Sequence, residues 1–129
     1  MNGKTVSERV EALLDEMTLE EKAGQLTQFF EFEPGDEAIS REIAAGRVGS
    51  ILFVRDPAEI GRLQRIAVNE TRLGIPLLFG FDVIHGLRTI FPVPIAMAAS
   101  WDMAAIEQGQ AIAAAEARAI GLHWTFAPM

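Results

Sequence analysis

Three short apolar runs, separated by helical stretches and joined by brief helix-to-strand links, constrain this chain more than any other feature. Val48-Gly49-Ser50-Ile51-Leu52-Phe53-Val54 is apolar on both alternating faces, the pattern of a strand buried on both sides. A second run covers residues 75–81, where Pro76 is tolerable near the start. His123-Trp124-Thr125-Phe126-Ala127 forms a third. Between the first two, Asp56-Pro57 supplies an N-cap and a first helical residue. The helix they open is expected to reach about Leu73, burying Ile60, Leu63 and Ala67, leaving Arg62, Arg65 and Glu70 solvated, and stopping at Gly74. Residues 103–120 form an Ala-rich helix with Ile106, Gly109, Ala113, Ala117 and Ile120 as its inner stripe, ended by Gly121. Strand, helix, strand, helix, strand specifies a parallel α/β sheet with helical crossovers. An open doubly wound sheet and a barrel both satisfy that order. The first would often carry a Gly-rich phosphate loop after its first strand. Here that loop is Arg55-Asp56-Pro57, without glycine, which disfavours a dinucleotide site.

Residues 1–45 read as a helical lead-in of two or three helices, and 46–129 as the first βα units. Val6, Val10, Leu13, Leu14 and Met17 share one face at helical spacing. Thr18-Leu19-Glu20-Glu21 is a capping box, expected to start a second helix running to about Phe29. Pro34-Gly35-Asp36 is a turn, and a third helix spans about 37–45 before Gly46. At 129 residues the chain is the size of one domain. Its 11 Lys and Arg against 18 Asp and Glu argue against a nucleic-acid partner, which needs a positive footprint. Without cysteine, thiolate metal sites and disulfides are excluded. The first residues have no apolar signal-peptide core, so the expected location is the cytoplasm, or a compartment reached after removal of a leader. The apolar run at 95–99 is too short to span a bilayer, so no membrane partner is expected.

The connection over 83–102 is long for a compact domain, and such loops are more often functional or disordered than idle. It leaves the C-terminal end of a strand, where parallel sheets and barrels place their active sites. It opens with Gly80-Phe81-Asp82-Val83-Ile84-His85-Gly86 and continues Leu87-Arg88-Thr89-Ile90-Phe91-Pro92. An Asp ending an apolar strand is costly to desolvate and needs partners. These are either loop amides and Arg88, a structural role, or the hydroxyls of a ligand. His85 reads as a loop-locking residue bonded to backbone. Asp82 and His85 as a metal pair lack a third ligand, so no metal and no cofactor are expected. His123 reads as core or interface; Trp101 and Trp124 read as packing residues before sugar-stacking ones. Glu8, Glu11, Asp15, Glu16, Glu20 and Glu21 form a solvated face remote from strand ends.

These stretches together resemble glycoside hydrolase family 3. Glu21-Lys22-Ala23-Gly24-Gln25-Leu26 and Gly46-Arg47-Val48-Gly49-Ser50-Ile51 look like its start. Arg72-Leu73-Gly74-Ile75-Pro76-Leu77 running into Gly80 to Gly86 is similar to its second barrel strand, and Arg88-Thr89-Ile90-Phe91-Pro92 and Thr125-Phe126-Ala127-Pro128-Met129 continue the match. The resemblance covers the chain past about Val6 and is strongest to bacterial periplasmic-type β-glucosidases. It implies the N-terminal portion of a (β/α)8 TIM-like barrel, followed by an α/β sandwich domain, in a retaining exo-acting enzyme that hydrolyses O-glycosidic bonds. It further implies that Asp82 binds the non-reducing hydroxyls of glucose in the −1 subsite, with His85 and Arg88 shaping that subsite. The implied partner is a β-glucoside or a short β-linked gluco-oligosaccharide. No catalytic residue falls in this chain: the resemblance places the nucleophilic Asp on a later strand, the acid in the following domain, and an Arg and a Lys-His pair just past Met129. Two other classes are kept: a non-catalytic assembly or sugar-binding module that completes its sheet with another chain, and a small doubly wound domain for a phosphorylated ligand.

Overall fold

The computed structural model describes residues 3, 5–31 and 34–127. Its sheet has four strands where the sequence suggested three: β1 (Gln28–Phe30), β2 (Ser50–Leu52), β3 (Leu78–Phe81) and β4 (Trp124–Thr125). All neighbours are parallel, and the spatial order β1-β2-β3-β4 is the chain order. This settles the architecture left open by the sequence. A doubly wound sheet reverses its strand order at a switch point. A sheet that adds each new strand on the same edge, by crossovers of one hand, collects its helices on one side and curls toward a barrel.

Burial confirms the one-sidedness. Ile51 and Phe79, aligned across β2 and β3, are fully buried against a core that includes Ile39, Ile43, Leu63, Ala67, Ala113 and Ala117 from the helices. On the other face Phe30, Leu78 and Trp124 are 54%, 51% and 45% exposed. Only central β2 is covered on both sides, as its apolar run required.

The helices are α1 (Val6–Glu16), α2 (Leu19–Gln25), α3 (Glu37–Ala44), α4 (Pro57–Glu70), α5 (Pro94–Ala99) and α6 (Met103–Ile120). The capping box at Thr18 starts α2: its hydroxyl accepts from the Glu21 amide and the Glu21 carboxylate accepts from the Thr18 amide. Thr5 and Glu8 repeat the device on α1. The second helix stops at Gln25 rather than near Phe29, so the lead-in over 1–45 is not wholly helical: β1 lies within it. Asp56 caps α4 through the Ala58 amide, and α4 buries Ile60, Leu63 and Ala67 as expected, together with Glu59. It ends at Glu70, three residues short of the expected Leu73. The stripe of α6 is buried at Gly109, Ala113 and Ala117, and Gly121 closes the helix at φ +102°. The apolar face of α1 has no buried residue. The long connection is not all loop, because α5 occupies its second half.

Candidate functional site

The strand ends place three short segments at one rim of the sheet. Glu31 follows β1, Phe53-Val54-Arg55-Asp56 follows β2 and Asp82 follows β3. Alternation along β3 tells which way Asp82 faces. Phe79 and Val83 lie in the helix-covered core. Gly80 lies on the other face: a Cβ there would meet Leu52 Cδ2 at 3.0 Å and Phe126 Cε2 at 3.3 Å. Asp82, between Phe81 and Val83, continues the parity of Leu78 and Gly80 on the uncovered face. It is exposed, and its carboxylate makes no hydrogen bond or ion pair among the described residues. The structural role weighed for it, capping loop amides or pairing with Arg88, is absent.

A different carboxylate takes those amides. Glu116 of α6 accepts from the Arg88 amide at 2.8 Å, the Thr89 amide at 2.8 Å and the Thr89 hydroxyl at 2.6 Å. The Thr89 hydroxyl and amide hold its carboxyl below the usual range. The rest of the loop is locked internally. Gly86 and Ile90 form an antiparallel bridge, the Phe91 amide donates to the His85 carbonyl at 2.7 Å, and His85 Nδ1 lies 2.9 Å from the Phe91 carbonyl. That contact requires the proton on Nδ1. Gly86 sits at φ +120°, and a Cβ there would collide with the Thr89 carbonyl, so the turn demands glycine. The side chain of Arg88 is exposed.

A cavity of about 540 Å³ opens beside this rim, lined in part by Glu31, Phe53, Arg55, Glu59, Leu87 and Arg88. Asp82 does not line it, and Glu59 of α4 and Ile120 of α6 in its wall put it on the helix-covered side. Within it, Glu31 is 4% exposed, and neither of its oxygens has a hydrogen-bond partner of good geometry among the described residues. Its neighbour is Glu59, which binds Arg62 through Nε at 2.8 Å and Nη2 at 2.5 Å and accepts the Gly35 amide at 3.0 Å. Burial first, and the Glu59 carboxylate second, push Glu31 up to about 7, whereas the bonds from Arg62 bring Glu59 down to about 2. A protonated Glu31 facing an ionised Glu59 is the arrangement this implies. Arg62, expected to be solvated, is instead half-buried in this cluster. The two acids shift each other's titration in opposite directions, and the ionised one is neutralised by Arg62, which suits a structural acid pair.

The remaining candidates fall elsewhere. His123 is exposed rather than core; it extends the β3–β4 ladder, its amide bonding the Phe79 carbonyl and its Nδ1 accepting the Phe79 amide. Trp101 is 88% exposed and does no packing, while Trp124 rests on Phe126 with ring centroids 4.5 Å apart. Among the described residues no group of three His, Cys, Asp or Glu could hold a metal, and no helix is long and apolar enough to cross a membrane. Glu31 and Glu116 escaped the sequence reading. The alternation of Phe30, Glu31 and Phe32 was the one available sign for the former; no spacing signals the latter.

Comparison with known proteins gives a consistent picture. The family model described as the glycosyl hydrolase family 3 N terminal domain matches residues 18–129. A periplasmic beta-glucosidase of Salmonella typhimurium is 39% identical over 119 residues, taking in 91% of this chain and 15% of that protein. A putative beta-xylosidase of Formosa agariphila is 29% identical, taking in 96% of this chain and 19% of that protein. The crystal structure of a beta-glucosidase from Listeria innocua in complex with glucose superposes with a TM-score of 0.85 at 33% identity, over 97% of this chain and 19% of that one. The same Listeria protein has been solved with gluconolactone and with isofagomine. The chain thus spans less than a fifth of the length of these relatives.

Proposed function

The chain belongs to glycosyl hydrolase family 3, and from that premise we propose that it is the opening part of the TIM-like barrel of a retaining, exo-acting β-glucosidase, in which Asp82 holds the sugar of the −1 subsite. The observation that carries the reading is the state of Asp82: an exposed carboxylate, at the carboxyl end of a central strand, on the uncovered face, with no partner of its own among the described residues. A carboxylate so placed can accept from two neighbouring hydroxyls of one ring, each bond strengthened by its charge. His85 and Arg88 act on the subsite through the loop, His85 by tying its two sides together. The nucleophile and acid come from further along the polypeptide. The substrate is a β-glucoside or a short β-linked gluco-oligosaccharide, in keeping with the glucose bound by the Listeria relative.

The test is Asp82→Ala in the full-length polypeptide that carries this segment, with release of nitrophenol from an aryl β-glucoside as the readout. Hydroxyl contacts of this kind strengthen in the transition state, so kcat/KM should fall roughly 10²- to 10³-fold, about 3–4 kcal/mol. A substrate lacking the bonded hydroxyls should show a much smaller penalty. Unchanged kcat/KM in the variant would remove Asp82 from the site.

A further inference from the structure

We infer that Glu116 is a positioning residue of the sugar subsite, fixing from α6 the backbone that carries Asp82. The inference rests on the reading of Asp82 as a sugar ligand and adds to it a residue that touches no substrate.

Asp82 has no bond of its own to orient it among the described residues, so its place is inherited from the backbone on either side. Upstream, that backbone is the sheet. Downstream, Val83 is buried in the core, and the chain then turns out through Gly86 and back to Phe91. Helix α6 grips this excursion twice. At its base the Phe91 ring packs closely on Gly109, where an added Cβ would lie 3.3 Å from the ring. At its tip Glu116 takes two consecutive amides and a hydroxyl. Positions 109 and 116 are seven apart, about two turns, so both grips fall on one face of α6, roughly 10 Å from each other. Both amides converge on Oε2 while the Thr89 hydroxyl donates to Oε1, so charge-assisted bonds to successive residues hold the tip in orientation as well as distance. Solvation is available to both amides at this exposed tip, so the loss of Glu116 should leave the fold standing and the loop loose.

The experiment is a double-mutant cycle on kcat/KM in the full-length polypeptide, well below its melting temperature, with Asp82→Asn as the second mutation. Glu116→Ala alone should lower kcat/KM about tenfold, mostly through kcat, as expected for a misplaced contact. Glu116→Gln, whose carbonyl can still accept the two amides, should recover activity to within about threefold of wild type. In the Asp82→Asn background, Glu116→Ala should cost nothing further, because the group it positions is already disabled. Additive losses would overturn the inference, as would full activity of Glu116→Ala beside a crippled Asp82→Asn. Full activity of Asp82→Asn would instead sink the reading on which it rests. Should Glu116→Ala fail to fold, Thr89→Val removes one of the three bonds and is expected to show a smaller loss with the same dependence on Asp82.

Discussion

Glu31 and Glu59 form an acid pair whose titration can be read in stability. The native state keeps a proton on Glu31 up to about pH 7, whereas an unfolded chain releases it near 4.5. More protons are bound folded than unfolded across that window, so stability should fall as pH rises from about 4.5 to about 7 and level off above. Glu59 works in the opposite sense: its pKa is brought down to about 2, so its contribution is present above about 4.5 and is lost as pH falls toward 2. Arg62 and the Asp36 backbone are the other groups facing Glu31. Glu31→Gln mimics the protonated acid. It should raise stability by about 1–3 kcal/mol at pH 8, the scale of an unsatisfied buried group, and match wild type near pH 4.5. Urea denaturation at the two pH values decides; equal effects at both would show that Glu31 is not the titrating group. At this scale the sequence was legible only where polarity broke a local pattern. Asp82 stands out after an apolar strand. Glu116 and Glu59 look like ordinary helix acids, because the loop amides they accept lie 27 and 24 residues away along the chain, and the Arg62 partner of Glu59 is an everyday i,i+3 pairing.

Among the elements, the boundaries set by local chemistry were readable and those set by packing were not. Thr18, Asp56 and Gly121 mark helix ends in sequence because caps and left-handed stops act through neighbouring residues. Strand β1 went unrecognised because only three residues long, directly after a helix, it carries too few positions for alternation to show. Its place is fixed by contact: the amides of Gly49 and Ser50 both donate to the Thr27 carbonyl, and Gly49 lies so close to Gln25 that a Cβ would collide with the Gln25 carbonyl. Gly24 is pressed in the same way against the Gly46 carbonyl. Both glycines serve close backbone approach, and neither has a positive φ. Gly49→Ala should therefore cost at least about 2 kcal/mol by forcing the end of α2 at Gln25 away from the residue that leads into β2, within the range for overpacking. A thermal melt would check it, with Gly61→Ala on the surface of α4 as the control expected to be neutral or slightly stabilising.

For the molecule as a whole, the sequential strand order carries the architecture, and the sequence could narrow it only to two. Both candidates share strands, helices and crossovers; what separates them is which edge each new strand joins, a property of contacts between distant residues. The four strands are about half of the eight that close such a barrel. Phe30, Leu78 and Trp124 consequently form an apolar surface on the uncovered face, and β1 and β4 are free edges among the described residues. Produced as 129 residues alone, the polypeptide is expected to self-associate and to release no nitrophenol from an aryl β-glucoside. Light scattering with activity measurement tests this. A monodisperse oligomer with a cooperative melt would favour instead a module that completes its sheet with another chain, and turnover by the isolated chain would contradict the assignment of catalytic groups elsewhere.

The bond between Glu116 and the tip at Arg88 and Thr89 also bears on how such proteins can be recombined. Loop and clasp are parted in the gene by a helix and a half, so a chimera with a crossover between residues 90 and 115 inherits one without its mate. Crossovers before 78 or after 121 transfer both as a single heritable block, and libraries built on those breakpoints should retain function far more often.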